Sequence, residues 1–283
     1  MAANFWNSTH YKHWLRKAET LLTEQRLSRQ RENSPLNEED INKADTDFPQ
    51  LISQLAQVTN LRQRIAATAI VYFKRFYVRN SYCDHDPRLI TPVSLYLAAK
   101  AEEHTLQAKL VMAQMTNIYA SNHKYPYTTE HLYEYEFKMI SSLNFDLIVY
   151  HPYRPLVQYC TDLRRTELLA TAWPILNDSY QTDAILLYPP YLIAIACICM
   201  AGTVEDIDMM QWMKSLSVDT REVGDIVLML ASVYSTPKFS NTTVTFESVL
   251  NKLDVHFAGK VQPGDTSAKV RKPLPTSVPA TSR

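Results

Sequence analysis

The sequence predicts an all-α protein built from two tandem five-helix repeats, with an extra helix at the N-terminus. Three observations predict this fold class. Apolar residues recur with a period near 3.6 over long runs, which is typical of helices. Only four glycines occur, and the first 201 residues contain none, which excludes the glycine-rich loops that bind phosphates. The third observation is an internal repeat at an offset of 103 residues.

Residues 1–47 are predicted to hold the extra N-terminal helix and a linker. The stretch 4–30 is rich in aromatic and leucine side chains, including Trp6 and Trp14, which favours a short helix. These aromatic residues either pack on their own domain or contact a partner, and the sequence leaves both alternatives open. Residues 32–47 are polar and contain a proline, so we expect a loop there with at most a short helical turn.

The first repeat is assigned to residues 48–147. Its third helix is expected to start at Asp86 and Pro87, because aspartate accepts a free backbone N–H and proline has no N–H to lose in the first turn. That helix is apolar on almost its whole circumference, so we expect other helices to surround it. The five helices are predicted at residues 48–58, 61–79, 86–103, 107–119 and 129–143.

The second repeat is assigned to residues 148–236 from the internal similarity. A shift of 103 positions without a gap gives nine identities in the 36 positions from Ala67 to Glu102, where about two are expected by chance. Pro87 then aligns with Pro190, at the start of a second apolar helix. The helices of this repeat are predicted at residues 153–162, 166–181, 190–203, 207–215 and 220–234.

Residues 237–283 are predicted to form a mostly disordered tail. They contain five prolines and many serines and threonines, a composition that does not support a packed core. One amphipathic turn is expected near residues 246–253.

Composition and charge argue against several classes of function. The 29 basic and 29 acidic residues give a formal net charge of zero, so direct binding of nucleic acid is not expected. No run of 18 apolar residues occurs and the N-terminus lacks a signal peptide, which favours a soluble intracellular protein without membrane contact. The four cysteines show no C-x-x-C spacing and the histidines are scattered, so we expect no metal or other cofactor.

Two charged residues interrupt apolar helix faces. Lys100 lies in an apolar sector of the third predicted helix, and Glu136 lies in the apolar stripe of the fifth. An unpaired buried charge costs several kcal/mol, so each is either paired within the chain, extended to solvent, or met by another protein. The shift of 103 residues aligns Lys100 with Thr203 and Glu136 with Phe239, so the second repeat lacks both charges. This asymmetry favours an interface.

The sequence resembles the cyclin family over about residues 48–234. The third helix ends in LAAKAEE, and Glu136 stands ten residues before the aspartate of NFDL, which are paired motifs of the cyclin box. Five further segments resemble, more specifically, cyclins of the Mediator kinase module: FW near the start, ATAIVYFKRF, LIVYHPYRPL, NDSY and LLYPPYLIAIAC.

This resemblance implies a regulatory subunit that performs no catalysis itself. It implies a nuclear protein that binds and activates a transcription-associated cyclin-dependent kinase, contacts other Mediator kinase-module subunits, and regulates RNA polymerase II transcription. In cyclins the lysine and the glutamate at the matching positions bind the kinase backbone beside its regulatory helix. Apolar side chains that follow this glutamate in the sequence make further contacts with the kinase. The implied kinase-binding residues here are Lys100, Glu136, Ile140, Phe145 and Leu147. Possible additional partner contacts are Trp6 and Trp14.

The sequence departs from some cyclins, and two alternative functions stay open. The helix at 48–58 lacks the M-R-x-x-L motif of a substrate-docking patch, and Ala101 replaces the aromatic residue that follows the lysine in many cyclins. A TFIIB-type DNA-binding transcription factor shares the paired five-helix repeats, but it predicts a basic face and usually a zinc ribbon, which this sequence lacks. The other alternative is a helical scaffold without a kinase partner.

Overall fold

The structure, a computed structural model, describes residues 4–29, 36–119, 125–235 and 245–258. Within these ranges helices are the only regular secondary structure. The α-helices are α1 (Ala18–Arg29), α2 (Glu38–Val58), α3 (Gln63–Arg79), α4 (Pro87–Ala101), α5 (Ala108–Tyr119), α6 (Thr129–Ser142), α7 (Tyr153–Asp162), α8 (Leu169–Ser179), α9 (Ala184–Leu187), α10 (Pro190–Val204), α11 (Met210–Ser215), α12 (Thr220–Ser235) and α13 (Phe246–Phe257). The predicted all-α fold is confirmed.

Helix α4 is the centre of the first repeat, which consists of α2 to α6. It packs against α2, α3, α5 and α6, and every residue from 87 to 99 is buried. Its start matches the prediction: the Asp86 side chain accepts a hydrogen bond from the backbone N–H of Arg88 at 2.9 Å, and Pro87 is the first helical residue. A helix apolar on all sides is therefore surrounded by its neighbours.

The second repeat consists of α7, α8, α10, α11 and α12, with the short α9 inserted before α10. Helix α10 is its centre and packs against α7, α8 and α12. The same side-chain hydrogen bond occurs in both repeats: Thr68 donates to Glu102, and Thr171 donates to Glu205. These are the pairs that the 103-residue shift aligns, so the repeat seen in the sequence is also a structural repeat.

Polar side chains connect the two repeats. His151, just before α7, lies 2.8 Å from the Thr68 hydroxyl through Nε2 and 2.7 Å from the Tyr180 hydroxyl through Nδ1. Burial lowers the pKa of His151 to about 3, so the ring is neutral at physiological pH. Lys74 of α3 also pairs with Asp183 at 2.9 Å. Each repeat thus supplies groups that satisfy buried polar atoms of the other.

The N-terminal region differs from its prediction. Helix α2 begins at Glu38, ten residues before the expected start, because Asn37 and Asp40 form a capping box with two hydrogen bonds of 2.8 Å. The expected single helix at residues 4–30 is divided into a 3₁₀ turn (Phe5–Asn7), a π-helical turn (His10–Trp14) and α1. Between the π-helical turn and α1, the backbone N–H of Arg16 donates a hydrogen bond to the carbonyl of Leu186. This bond holds the interruption between the two helical segments against the second repeat.

Part of the predicted tail is a docked helix. Helix α13 extends the expected amphipathic turn to twelve residues and packs on α2 of the first repeat. Its apolar face is buried, and Lys252 forms an ion pair of 2.7 Å with Asp40, while Asp254 pairs with Arg88. Residues 237–244 and 259–283, where the prediction was also disorder, lie outside the described residues.

Candidate functional site

Lys100 and Glu136 meet where α4 packs against α6. Lys100 is in the last turn of α4 and Glu136 is in the middle of α6. The ammonium Nζ of Lys100 lies 2.7 Å from Oε1 and 3.0 Å from Oε2 of Glu136. The internal ion pair considered from the sequence is therefore present. Its lysine side chain is nevertheless 50% exposed and its glutamate side chain 10% exposed, so the chain leaves one side of the pair open to solvent.

The surroundings of Lys100 keep its charge in place. Its ammonium lies 4.4 Å from the centroid of the Tyr96 ring, one turn earlier on α4, in a cation–π contact. Partial burial lowers the pKa of Lys100, but the hydrogen bonds to Glu136 and Tyr96 outweigh this effect, so the net shift is upward. The result is a charged, oriented ion pair at the surface.

Apolar side chains beside the ion pair are exposed. On α6, Tyr133 and Ile140 lie three residues before and four residues after Glu136, so they share its helix face, and Tyr133 is 46% exposed. Phe137 is the next residue in the sequence; it lies on the adjacent face, four residues after Tyr133, and is 75% exposed. Ile140 is half-buried. Phe137 was not selected from the sequence, although an aromatic residue outside the apolar stripe of an amphipathic helix was the available signal. Exposed apolar groups next to an oriented charge pair are typical of a protein-binding surface.

The turn after α6 extends this surface. Asn144 and Phe145 have positive φ angles of 53° and 61°. Asparagine tolerates this left-handed backbone, whereas for a residue such as phenylalanine it costs about 1–2 kcal/mol. The backbone N–H of Phe145 donates to the Ile140 carbonyl at 3.0 Å and ends the helix. Phe145 is 75% exposed, whereas Leu147 is half-buried against the core. The structure thus brings all five implied kinase-binding residues to α6, its following turn and the adjoining end of α4.

The two tryptophans lie in different environments. Trp6 is 48% exposed, with its ring against Tyr11 and Tyr191. Trp14 is only 2% exposed and donates a hydrogen bond from Nε1 to Asp146 at 3.1 Å. The partner contact considered for Trp14 is therefore replaced by a contact within the chain, because its side chain is already enclosed.

Two features are absent from the part of the chain that the structure describes. No group of three or more histidine, cysteine, aspartate or glutamate side chains there could hold a metal ion. The helices of that part are also too short or too polar to cross a membrane.

Comparison with known proteins identifies the family. The model of the cyclin N-terminal domain matches residues 16–148, and that of the cyclin C-terminal domain matches residues 151–236. Cyclin-C1-1 of Oryza sativa subsp. japonica is 41% identical over 238 residues, which cover 84% of this chain and 91% of the relative. Cyclin-C of Rattus norvegicus is 38% identical over 261 residues, which cover 89% and 91%. The chain belongs to the cyclin family.

Membership of this family also identifies the kind of protein. Cyclins are regulatory subunits of kinases and perform no catalysis themselves, so this cyclin is a regulator and not an enzyme. The two domain matches cover both five-helix repeats and place the chain with the cyclins and not with TFIIB-type factors.

Solved structures show the same fold. This cyclin is similar to a chain of the CAK complex from Chaetomium thermophilum bound to ATP-gamma-S, with a TM-score of 0.69 and 18% identity, covering 95% of this chain and 98% of the other. A chain of the yeast RNA Pol II CTD kinase CTDK-1 complex gives a TM-score of 0.67 and 14% identity, covering 88% and 84%. At such low identities these similarities establish the fold alone.

Proposed function

We propose that this cyclin binds and activates a transcription-associated cyclin-dependent kinase of the Mediator complex and so regulates RNA polymerase II transcription in the nucleus. Two kinds of similarity support the proposal. The relatives at 38–41% identity are C-type cyclins, and the similar folds come from a CAK complex and a polymerase CTD kinase complex. The proposed partners are the kinase catalytic subunit and other subunits of the Mediator kinase module.

The observation that carries the proposal is the half-open ion pair of Lys100 and Glu136. Two close contacts to the carboxylate leave the ammonium with donor capacity, and the carboxylate retains acceptor capacity. A backbone carbonyl and a backbone N–H of a kinase segment could bind these two groups together. The orientation already exists in the free chain, which reduces the entropy cost of binding. Ile140, Phe145 and Leu147 supply the adjoining apolar contact.

Activation by such a surface is conformational. A kinase whose regulatory helix can occupy two positions moves toward the position that the cyclin binds more tightly, and the difference in affinity sets the shift. In the active position a glutamate of that helix pairs with the lysine that holds the ATP phosphates. The cyclin contributes binding energy and no reacting atom.

The double variant Lys100→Ala, Glu136→Ala tests this function. Removing both charges leaves neither one unpaired in the free chain, so the variant carries no uncompensated buried charge that would destabilise its fold. Kinase groups that lose their charged partners should cost about 2–5 kcal/mol of binding free energy. The measurement is affinity capture from nuclear extract, followed by a kinase assay on a polymerase C-terminal-repeat peptide.

The matched control removes the exposed ion pair of Arg165 and Glu167 in the second repeat, which lies at 3.3 Å. We expect the control to capture and activate the kinase like the native chain. Normal capture and activation by the double variant at Lys100 and Glu136 would show that the kinase-binding assignment is wrong.

A further inference from the structure

The turn at residues 142–147, which carries Phe145, is held from its inner side. Helix α3 supplies three donors to the carbonyl groups of this turn. They are Arg79 Nη1 to Ser142 at 3.2 Å, Arg75 Nη1 to Asp146 at 3.3 Å and the Tyr72 hydroxyl to Leu147 at 2.5 Å. The outer side of the same turn carries the exposed ring of Phe145. The position of that ring therefore depends on contacts behind it.

The N-terminal segment completes these inner contacts. Trp14 donates from Nε1 to Asp146 Oδ2 at 3.1 Å, and His13 Nδ1 lies 2.8 Å from the same oxygen. Asp146 immediately follows Phe145, and its side chain is 9% exposed. The Oδ2 atom of Asp146 therefore connects this turn to Trp14, which lies 132 residues earlier in the sequence.

Trp14 also contacts the arginines that hold the turn. The guanidinium carbon of Arg75 lies 5.0 Å from the centroid of the Trp14 ring, and that of Arg79 lies 4.6 Å from it. Arg75 is fully buried, and its Nε and Nη2 have no hydrogen-bond partner among the described residues. The Trp14 ring face and the Asp146 carbonyl are therefore important in orienting this buried cation.

The turn needs such support because its backbone is strained. Asn144 and Phe145 both have left-handed φ angles, and a bulky L-residue keeps that conformation only where its surroundings impose it. Without the contacts to Asp146, the turn can relax to a more common backbone geometry. The ring of Phe145 would then leave its present position.

We propose that Trp14 is a positioning residue for the kinase-contact surface, acting through Asp146 to hold Phe145 outward. This proposal rests on the proposed function, because it concerns the same surface. The N-terminal segment thereby influences kinase affinity without touching the kinase at Trp14.

The test is a double-mutant cycle with Trp14→Phe and Phe145→Ala. Trp14→Phe keeps an aromatic ring over the arginines and removes the N–H that binds Asp146, and we expect about tenfold weaker kinase binding. Phe145→Ala weakens binding on its own. In the Phe145→Ala background, Trp14→Phe should cause little further loss, because its effect passes through that ring. Trp173→Phe, a tryptophan substitution in the second repeat, is the control and should bind like the native chain.

Hydrogen exchange in the free chain supplies a second readout. Trp14→Phe and Asp146→Ala should both accelerate exchange of the backbone amides at residues 145 and 147, and Trp173→Phe should not. This readout needs no kinase and separates a local loosening of the turn from a general loss of stability.

The outcomes distinguish the two proposals. Additive losses in the cycle, or unchanged exchange at the turn in Trp14→Phe, overturn the positioning role and leave the kinase function intact. Unchanged binding by Phe145→Ala overturns the positioning role because the ring is then not a kinase contact. The assignment of kinase binding to Lys100 and Glu136 is tested separately, because it fails if their double variant binds and activates the kinase normally, and the proposed function fails if the native chain captures no kinase.

Discussion

Single removals of the two charges at the candidate site should destabilise the free chain unequally. Lys100→Met keeps the aliphatic stem near Tyr96 but leaves the Glu136 carboxylate without its cation, in a position where that side chain is 10% exposed. Glu136→Gln removes the carboxylate and leaves an ammonium on a side chain that is 50% exposed and can be hydrated. Lys100→Met, which leaves the mostly buried Glu136 carboxylate unpaired, is therefore expected to cost more stability than Glu136→Gln.

The expected magnitudes follow from these exposures. Breaking a fully buried ion pair from one side costs about 3–5 kcal/mol, and surface pairs contribute about 0–1 kcal/mol. The half-open pair lies between these limits, so we expect Lys100→Met to lower the free energy of unfolding by about 1–3 kcal/mol. This range includes the loss of the cation–π contact to Tyr96, worth about 0.5–1 kcal/mol. Glu136→Gln should cost less than about 1 kcal/mol.

Urea unfolding followed by far-ultraviolet circular dichroism measures both values at pH 7. Equal losses for the two variants, or a larger loss for Glu136→Gln, would refute the reasoning from exposure.

Three further predictions concern the fold. Leu253→Ala on α13 should lower the free energy of unfolding by about 2–5 kcal/mol, because Leu253 is fully buried. The control Val255→Ala should change it by less than about 0.5 kcal/mol, because Val255 is 79% exposed. Equal effects of the two variants in chemical denaturation would mean that α13 is not docked. Since the pKa of His151 is about 3 when folded and about 6.5 when unfolded, acidification from pH 7 to 5 should lower the free energy of unfolding by about 2 kcal/mol through this residue. His151→Gln should remove this part of the pH dependence of thermal unfolding, and an unchanged pH dependence would contradict the lowered pKa. Gly224→Ala should stabilise the protein by about 0.5–1 kcal/mol, because the new Cβ meets nothing within 4 Å. Gly202→Ala should destabilise it by about 1–3 kcal/mol, because the new Cβ would clash with Met209 Cγ. The opposite order of stabilities in thermal unfolding would contradict the packing around α10.

The sequence was a reliable guide where local chemistry and periodicity act together. Two predicted helix starts depend on neighbouring residues only, and the structure confirms both. They are the start of α4 at Asp86 and Pro87 and the start of α10 at Pro190. Lys100 and Glu136 were noticeable because each contradicts the apolar period of its own helix. Their asymmetry between the repeats needed only the 103-residue shift.

The candidate site was less completely predictable. Phe137 and Tyr133 are exposed beside Glu136 because of how α6 is rotated against α4, and helical spacing alone does not set that rotation. The left-handed backbone at Asn144 and Phe145 was likewise not predicted, because no glycine marks these positions in the sequence. Both features follow from packing and hydrogen bonds to other helices.

By itself, the sequence determined the helical class and the two charges that interrupt apolar faces, since each depends on residues within a few helical turns. It also determined the two repeats, because they are visible when the sequence is compared with itself at an offset of 103 residues. Tertiary structure alone decided that Lys100 and Glu136 lie 2.7 Å apart with one side open. It also decided that Trp14 is enclosed against Asp146, and that α13 returns to cover α2. These contacts join residues far apart in the chain, and only the shared burial of distant apolar faces brings them together.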